Sequence, residues 1–76
     1  MKKHSVTLRG HNTSITLEDE FWHILKKIAR DKGQSVASLI DEIDEKRLKV
    51  SAGGLSSAIR IYILNWAIAQ SDQTAL

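Results

Sequence analysis

The fold is decided by residues 12–36, which read NTSITLEDEFWHILKKIARDKGQSV. The first six residues alternate with the two-residue period of a β-strand, and the apolar residues from 21 to 29 then recur every three or four positions, as on one face of a helix. Gly33 fits the left-handed position just past a helix end, and Ser35 is a good N-cap for a following helix. The stretch therefore predicts a strand, a helix, a tight turn and a second helix.

The flanking residues extend this pattern in both directions. Upstream, residues 5–9 also alternate and Gly10 marks a bend or bulge, so we predict one N-terminal strand over about residues 5–17. Its first half either extends the ribbon or lies back on the body of the protein. Downstream, the flexible stretch 51–54 separates the second helix from a third. The result is a mainly α single domain, 1–70, with helices at about 18–32, 35–47 and 55–70 and a frayed tail at 71–76.

The composition is that of a small chain whose own core is only marginally large enough to stabilise a fold. A chain of 76 residues buries only about 60% of its unfolded surface. The absence of cysteine removes disulfides and thiolate metal sites, but 42% of the residues are apolar, which is too many for a disordered chain. The length also argues against an enzyme. We identify no catalytic residue, no metal site and no cofactor in the sequence.

Two features predict that a second copy of the chain completes the core. A single strand leaves its backbone N–H and C=O groups unpaired, and the same strand of a partner, antiparallel across a two-fold axis, would pair them. The third helix is apolar nearly all round, which indicates burial on several sides. The expected dimer core consists of Ile15, Leu17, Ile40, Ile43, Ile59 and Tyr62.

Positive charge is concentrated at the N-terminus. Residues 1–17 contain Lys2, Lys3 and Arg9 and no acidic residue, in a chain whose net charge is +2. A basic arm ahead of a neutral body suits contact with a polyanion, although a short basic start is also common in chains where it only aids solubility. There is no signal-peptide run and no apolar segment of bilayer length, so we expect a cytoplasmic protein with no membrane partner.

The polar face of the strand is the first candidate site. A two-stranded antiparallel ribbon fits the major groove of B-DNA, where outward side chains lie at base edges. Here those side chains are Asn12, Ser14 and Thr16, and asparagine at position 12 would make the most discriminating contact because it can bond adenine in a bidentate way. The alternative interpretation is an ordinary half-buried strand, which always has a polar outer face.

The start of the second helix is the second candidate site. Free N–H groups at a helix start, here around Gln34, Ser35 and Val36, form an anion site that would hold a phosphate. The basic residues of the N-terminal arm, Lys2, Lys3 and Arg9, would add salt-sensitive attraction to the same backbone. The alternative is an ordinary turn between two helices with an N-cap.

Together, residues 13–17, 21–29 and 33–36 resemble the ribbon-helix-helix DNA-binding proteins of the Arc/MetJ type, and the whole chain is similar to a subgroup of short bacterial proteins with an added third helix. The resemblance implies an intertwined homodimer, base contacts from alternate strand positions and phosphate contacts at the start of the second helix. The sequence departs from the family pattern at Asp44, where an apolar residue would be expected.

Two functions are consistent with these observations. The first is sequence-specific binding of double-stranded DNA by a homodimer acting as a transcriptional regulator, specifically a repressor, with higher-order assembly on DNA left open. The alternative is a protein-interaction module with weak or no specific DNA binding, such as an antitoxin-like partner. The short tail 71–76 argues against it, because antitoxins generally offer a longer disordered segment. No small-molecule effector is evident.

Overall fold

The computed structural model describes residues 2–50 and 54–74, which form a hairpin followed by three helices. The elements are β1 (Lys2–Leu8), β2 (His11–Leu17), α1 (Asp19–Asp31), α2 (Val36–Val50) and α3 (Leu55–Thr74). The predicted order of a ribbon and three helices is confirmed. Residues 51–53 of the predicted flexible stretch and residues 75–76 of the predicted tail lie outside the described residues.

The N-terminal segment is a hairpin of two strands, so the prediction of one strand over about residues 5–17, bent at Gly10, is wrong. β1 pairs antiparallel with β2 in a register that sets Leu8 opposite His11 and Lys2 opposite Leu17. The backbone groups of β2 that were expected to pair with a second chain therefore pair with β1 of the same chain. The ribbon is complete within one molecule, and strand exchange between two molecules is not needed to form it.

The hairpin turn consists of Arg9 and Gly10, with φ angles of 50° and 81°. Positive φ at both positions is typical of the type I′ turn, whose twist matches that of two strands joined by a two-residue loop. Gly10 adopts this conformation at no steric cost, whereas for an L-residue such as Arg9 it costs about 1–2 kcal/mol. Contacts elsewhere in the fold must offset that cost at Arg9.

The side chain of Arg9 fastens the turn to α2. Its Nε lies 2.9 Å from Asp41 Oδ1, and its Nη2 lies 2.7 Å from Asp44 Oδ2. Asp44 is only 9% exposed, and a buried carboxylate needs a cationic or hydrogen-bonding partner. Arg9 therefore explains why an acidic residue occupies a position of α2 where the family pattern has an apolar one.

The apolar core closes within a single chain. Its buried side chains are Leu8, Ile15, Leu17, Leu25, Ile28, Ala29, Leu39, Ile40, Ile43, Ile59 and Ile63. Five of the six residues expected to form a dimer core are in this cluster, and the sixth, Tyr62, is half-buried and packs against it. They are buried or half-buried within the single chain, and their assignment to a dimer core stays a prediction.

Helix α3 is longer than the sequence predicts. It continues to Thr74, so residues 71–74 extend the helix where a frayed tail was expected. One side of α3, with Ile59 and Ile63 fully or almost fully buried, packs on the core. Another side, with Ile61, Leu64 and Ile68, is exposed.

We expect the partly shielded Arg9–Asp44 pair to be coupled more strongly than an exposed pair. A double-mutant cycle with Arg9→Ala and Asp44→Ala, measured by chemical denaturation, should give a coupling free energy of about 1 kcal/mol. The control is the same cycle on Lys27 and Asp31, an exposed i, i+4 pair at 3.4 Å, for which about 0.3 kcal/mol is expected. Equal coupling in the two cycles would contradict the role given to Arg9.

Candidate nucleic-acid interface

The outer face of the hairpin carries exposed polar side chains from both strands. Asn12, Ser14 and Thr16 share this face, as the alternation of the sequence predicts. The register sets them opposite three exposed residues of β1, in the pairs Lys3–Thr16, Ser5–Ser14 and Thr7–Asn12. One chain therefore presents six polar side chains across two strands, twice the number that a single strand would offer.

A hydrogen bond across the strands orients the most discriminating of these side chains. Thr7 Oγ1 donates to Asn12 Oδ1 at 3.1 Å. The amide oxygen keeps a second lone pair and the amide nitrogen keeps both hydrogens, so the Asn12 side chain can still offer one acceptor and one donor to an adenine edge. Thr7 thus holds the Asn12 carboxamide in place without blocking it.

The charge on the ribbon is positive, but its two lysines differ in position. Neither strand contains an acidic residue. Lys3 lies on the outer face opposite Thr16, whereas Lys2 lines a hollow together with the acidic residues that begin α1, Glu18 to Glu20. The positive potential of Lys2 is offset there, so Lys3 is the lysine that a phosphate backbone near the outer face would meet.

The turn between α1 and α2 is a Schellman motif. Gly33 has a φ of 68°, its N–H donates to the Arg30 carbonyl, and the Gln34 N–H donates to the Ala29 carbonyl at 2.9 Å. These are the two hydrogen bonds that define the motif. The main-chain N–H of Gln34 was expected to face a phosphate, but it is already bonded within the turn.

The N-cap of α2 is Ser35, as the sequence predicts. Its Oγ accepts a hydrogen bond from the Ser38 N–H at 3.0 Å, and the residue is exposed. An α-helix leaves its first N–H groups without intrahelical acceptors. With Ser38 capped, the donors that helix geometry leaves open in this turn are those of Val36 and Ala37, and these form the positive end of the helix dipole.

The Gln34 side chain belongs to a network that joins the turn to α2 and α3. Its Nε2 donates to Glu42 Oε2 at 3.3 Å, and Lys32 Nζ lies 3.4 Å from both that oxygen and the Tyr62 hydroxyl. The hydrogen bonds from Gln34 and then Lys32 lower the pKa of Glu42 below its ordinary 4.5. The Tyr62 hydroxyl, followed by Glu42, raises the pKa of Lys32 above 10.5. Gln34 therefore has a structural role in the turn.

Arg9 was also expected to contact phosphate, but in the structure its guanidinium forms ion pairs with carboxylates of α2. Both of its ion pairs are with α2, so Asp41 and Asp44 balance the guanidinium. The predicted set of phosphate-contacting residues is thus divided by the fold. Arg9 and Gln34 are bonded within the protein, and Lys2 has acidic neighbours. Lys3 lies on the outer face of the hairpin and Ser35 and Val36 at the start of α2, and their phosphate contacts stay a prediction.

Sequence reasoning missed Ser5 and Thr7 as members of the outer face. The interpretation of Gly10 as a bend left open whether residues 5–9 extend the ribbon or fold back on the body. The signal was the pair Arg9-Gly10, because two residues ending in glycine between two alternating runs are typical of a tight hairpin. A two-residue turn at this point would set Thr7 opposite Asn12, but a bend or bulge at Gly10 would give the same alternation.

Other kinds of site find no support in the part of the chain that the structure describes. No three His, Asp or Glu side chains there lie close enough together to hold a metal ion. The ring of His4 is stacked on Trp22, with centroids 3.8 Å apart and planes 8° from parallel, so it takes part in packing. None of the helices described is long and apolar enough to cross a membrane.

A polar two-stranded ribbon followed by a capped helix pair defines the ribbon-helix-helix class of DNA-binding proteins, here with a third helix. The chain belongs to the ribbon-helix-helix domain family, whose model matches residues 1–67. The members of this family generally bind DNA as dimers and are regulators rather than enzymes.

Comparison with solved structures supports the fold. An uncharacterized protein from Bordetella pertussis Tohama I is similar, with a TM-score of 0.80 and 31% sequence identity over 95% of this chain. The chain spans 59% of the length of that protein. No curated protein matches the chain.

Acid should weaken the fold through Glu18 and Glu42. Hydrogen bonds from its own main chain and from Arg60, at 3.0 Å, lower the pKa of Glu18 below its ordinary 4.5. A carboxyl group with a lowered pKa in the folded state stabilises the fold above its ordinary pKa, and this contribution disappears as the pH falls through the folded-state value. The midpoint temperature of unfolding should therefore fall as the pH drops from about 5 to 3.

The double variant Glu18→Gln/Glu42→Gln tests this assignment. It keeps side chains of similar shape but cannot change charge, so its midpoint temperature should fall less steeply over the same pH range. A control variant, Glu20→Gln, alters an exposed residue of the first turn of α1 and should follow the wild type. If the midpoint temperature falls equally steeply with pH in the double variant and the wild type, other groups cause the destabilisation.

Proposed function

We propose that the chain is a sequence-specific DNA-binding regulator that places the outer face of its hairpin in the major groove. The observation that carries this proposal is the double row of exposed polar side chains on β1 and β2, with no acidic residue in either strand. A two-stranded antiparallel ribbon has the width that the major groove accepts. Membership of the ribbon-helix-helix family supports DNA as the partner.

In this proposal Asn12, Ser14 and Thr16 contact the base edges. Asn12 bonds an adenine through its amide oxygen and nitrogen, while the two hydroxyl groups each donate or accept. Thr7 keeps the Asn12 amide in one orientation through the bond of 3.1 Å, which reduces the entropic cost of binding. Ser5 and Lys3 widen the same surface toward the open end of the hairpin.

The phosphate contacts come from two places. The first is the start of α2, where the Ser35 hydroxyl and the main-chain N–H of Val36 face an anion with the help of the helix dipole. The second is Lys3, whose charge lies on the outer face of the hairpin. Such contacts fix the position and orientation of the protein on the duplex but do not read sequence.

We further propose that the protein acts as a homodimer. Two copies related by a two-fold axis would place two hairpins on two half-sites, so the operator would be palindromic, with a spacing set by the dimer. Occupation of the groove near a promoter would block other proteins, so we propose repression of transcription in the cytoplasm as the biological outcome.

The decisive experiment is selection of bound sequences from a random duplex pool, followed by titration of the best duplex by fluorescence anisotropy. Enrichment of a palindrome with two short half-sites is the expected result. If no sequence is enriched and affinity is the same for every duplex, the proposal fails. Recovery of one stoichiometric protein partner with no bound DNA would instead favour a protein-interaction module.

The outer face should carry the discrimination between sequences. Asn12→Ala should weaken binding to the selected duplex by about 1–3 kcal/mol while leaving binding to unselected DNA unchanged. Thr16→Val removes a hydroxyl group from the outer face and should also reduce discrimination. Thr13→Val makes the same change on the half-buried inner face, between Asn12 and Ser14, and should bind like the wild type. Equal effects of the two valine variants would contradict the assigned face.

The salt dependence should separate the two neighbouring lysines. Removing one phosphate contact reduces the steepness of log K against log salt concentration by about 0.9. Lys3→Ala should therefore reduce it by about that amount per half-site, and Lys2→Ala should change it less because Lys2 lies beside Glu18 to Glu20. A larger change for Lys2→Ala than for Lys3→Ala would show that the outer face does not meet the phosphates.

A further inference from the structure

Helix α1 has a basic face on the side opposite its buried one. Lys26, Lys27 and Arg30 recur at the three- and four-residue spacing that places side chains on one face of a helix, and all three are exposed. Residues 21–30 contain no acidic residue, so the charged side chains of this part of the helix are all positive. We call these three residues the α1 basic face.

Two of these three cations have no ion-pair partner among the described residues. Lys27 Nζ lies 3.4 Å from Asp31 Oδ2, one turn further along the helix. Neither Lys26 nor Arg30 forms an ion pair with the part of the chain that the structure describes. Their positive charge is therefore not balanced within the fold. By contrast, carboxylate oxygens lie within 3.4 Å of other cations, namely Arg9, Lys32 and Arg60.

The placement of Lys26 and Arg30 is electrostatically unfavourable in the free protein. Like charges four residues apart on a helix repel each other, whereas an acid and a base at the same spacing attract. Arg30 lies in the last turn of α1, where the helix dipole favours a cation, but Lys26 lies outside that turn and gains nothing from the dipole. A bound anion would remove the repulsion, so the pair suits contact with a polyanion.

The helix that carries the α1 basic face joins the two places for which we propose phosphate contacts. It begins directly after β2, at the open end of the hairpin, where Lys3 stands opposite Thr16. It ends four residues before Ser35, the N-cap of α2, and the Arg30 carbonyl accepts a hydrogen bond within the turn between the two helices. Phosphates between the two proposed contacts would therefore lie along α1.

We propose that Lys26 and Arg30 bind backbone phosphates of the DNA, beside the stretch of groove that the hairpin occupies. The two residues are about 6 Å apart along the helix axis. A DNA strand advances about 3.4 Å along the duplex per phosphate, so the two side chains can contact phosphates one or two steps apart. Such contacts add affinity for any sequence and leave discrimination to the outer face of the hairpin. This inference rests on the proposed function for the identity of DNA as the partner.

The test compares the double variant Lys26→Ala/Arg30→Ala with the wild type by fluorescence anisotropy, on the selected duplex and on an unselected one. Each lost phosphate contact reduces the steepness of log K against log salt concentration by about 0.9, so the double variant should lose about 1.8 per bound chain. At about 0.1 M salt it should bind both duplexes at least about tenfold more weakly. The ratio of the two affinities should not change, because phosphate contacts do not read sequence.

The matched control is a lysine of α2. Lys46→Ala removes the same charge as Lys26→Ala from an exposed position about 15 Å beyond the start of α2. At that distance from the proposed contacts its charge is largely screened at physiological salt, so this variant should keep the salt dependence of the wild type. Alanine is the best helix former, so all the variants should fold, which circular dichroism checks.

A second measurement locates the phosphates on the duplex. Single uncharged methylphosphonate linkages are placed at successive positions of the selected duplex. A linkage at a phosphate that Lys26 or Arg30 contacts should weaken binding of the wild type but not of the double variant, which has already lost that contact. Linkages that weaken both proteins equally mark contacts made elsewhere, at Lys3 or at the start of α2.

The outcomes separate this inference from the proposed function. A double variant with the affinity and salt dependence of the wild type overturns the inference and leaves DNA binding by the hairpin standing. An equal change of salt dependence in Lys46→Ala and Lys26→Ala also overturns it, because the effect would then be one of net charge. A wild type that binds no duplex refutes the proposed function and this inference with it.

Discussion

The structure depends on the pairing of β1 with β2 within one chain. A strand cannot leave its N–H and C=O groups unbonded, so β2 needs a neighbour wherever it lies. Because residues 2–8 are that neighbour, the inner face of the hairpin is complete and its Leu8, Ile15 and Leu17 side chains close the core. The same pairing aligns the outer face, since side chains alternate across both strands in a common register.

The hairpin in turn depends on a two-residue loop that is strained at Arg9. The left-handed conformation of an arginine is unfavourable, yet its side chain reaches two carboxylates on α2 from that position. Asp44 is buried and would be costly without a cation beside it. The two ion pairs thus offset the unfavourable backbone of Arg9 and the burial of Asp44, and they join the ribbon to α2.

Local signals in the sequence were enough for the elements and for the polar face. The alternation at 12–17, the helical period at 21–29 and the Gly33 and Ser35 signals predicted features that the structure contains. Pairing could not be inferred with the same certainty, because period-2 alternation is identical in one long strand and in two short ones. The same holds for α3. Its sequence pattern shows that two sides of the helix are apolar, but it does not show which side packs on the core of the chain.

The roles of single residues could likewise be predicted only in part from the sequence. The charge of the N-terminal arm predicted a phosphate contact for Arg9, and the predicted helix start did so for Gln34. Any exposed cation or helix-start residue would be assigned in this way. The fold assigns them to the α2 ion pairs and to the Schellman turn, because a donor already bonded inside the protein is not offered to a ligand. Lys2 and Lys3 are adjacent in sequence, but the pleat sends them to opposite faces, and only one of those faces is free of acidic residues.

By itself, the sequence determined the order of the elements, the polar alternation of Asn12, Ser14 and Thr16 and the helix boundaries near Gly33 and Ser35, because these follow from interactions between residues a few positions apart. Only the tertiary structure decided that β1 is the partner of β2, that Thr7 orients Asn12 and that Arg9 is bound to Asp41 and Asp44. It also decided which side of α3 is exposed, with Ile61, Leu64 and Ile68 on that side. Each of those outcomes joins groups that no local period relates, so it exists only once the chain has closed on itself.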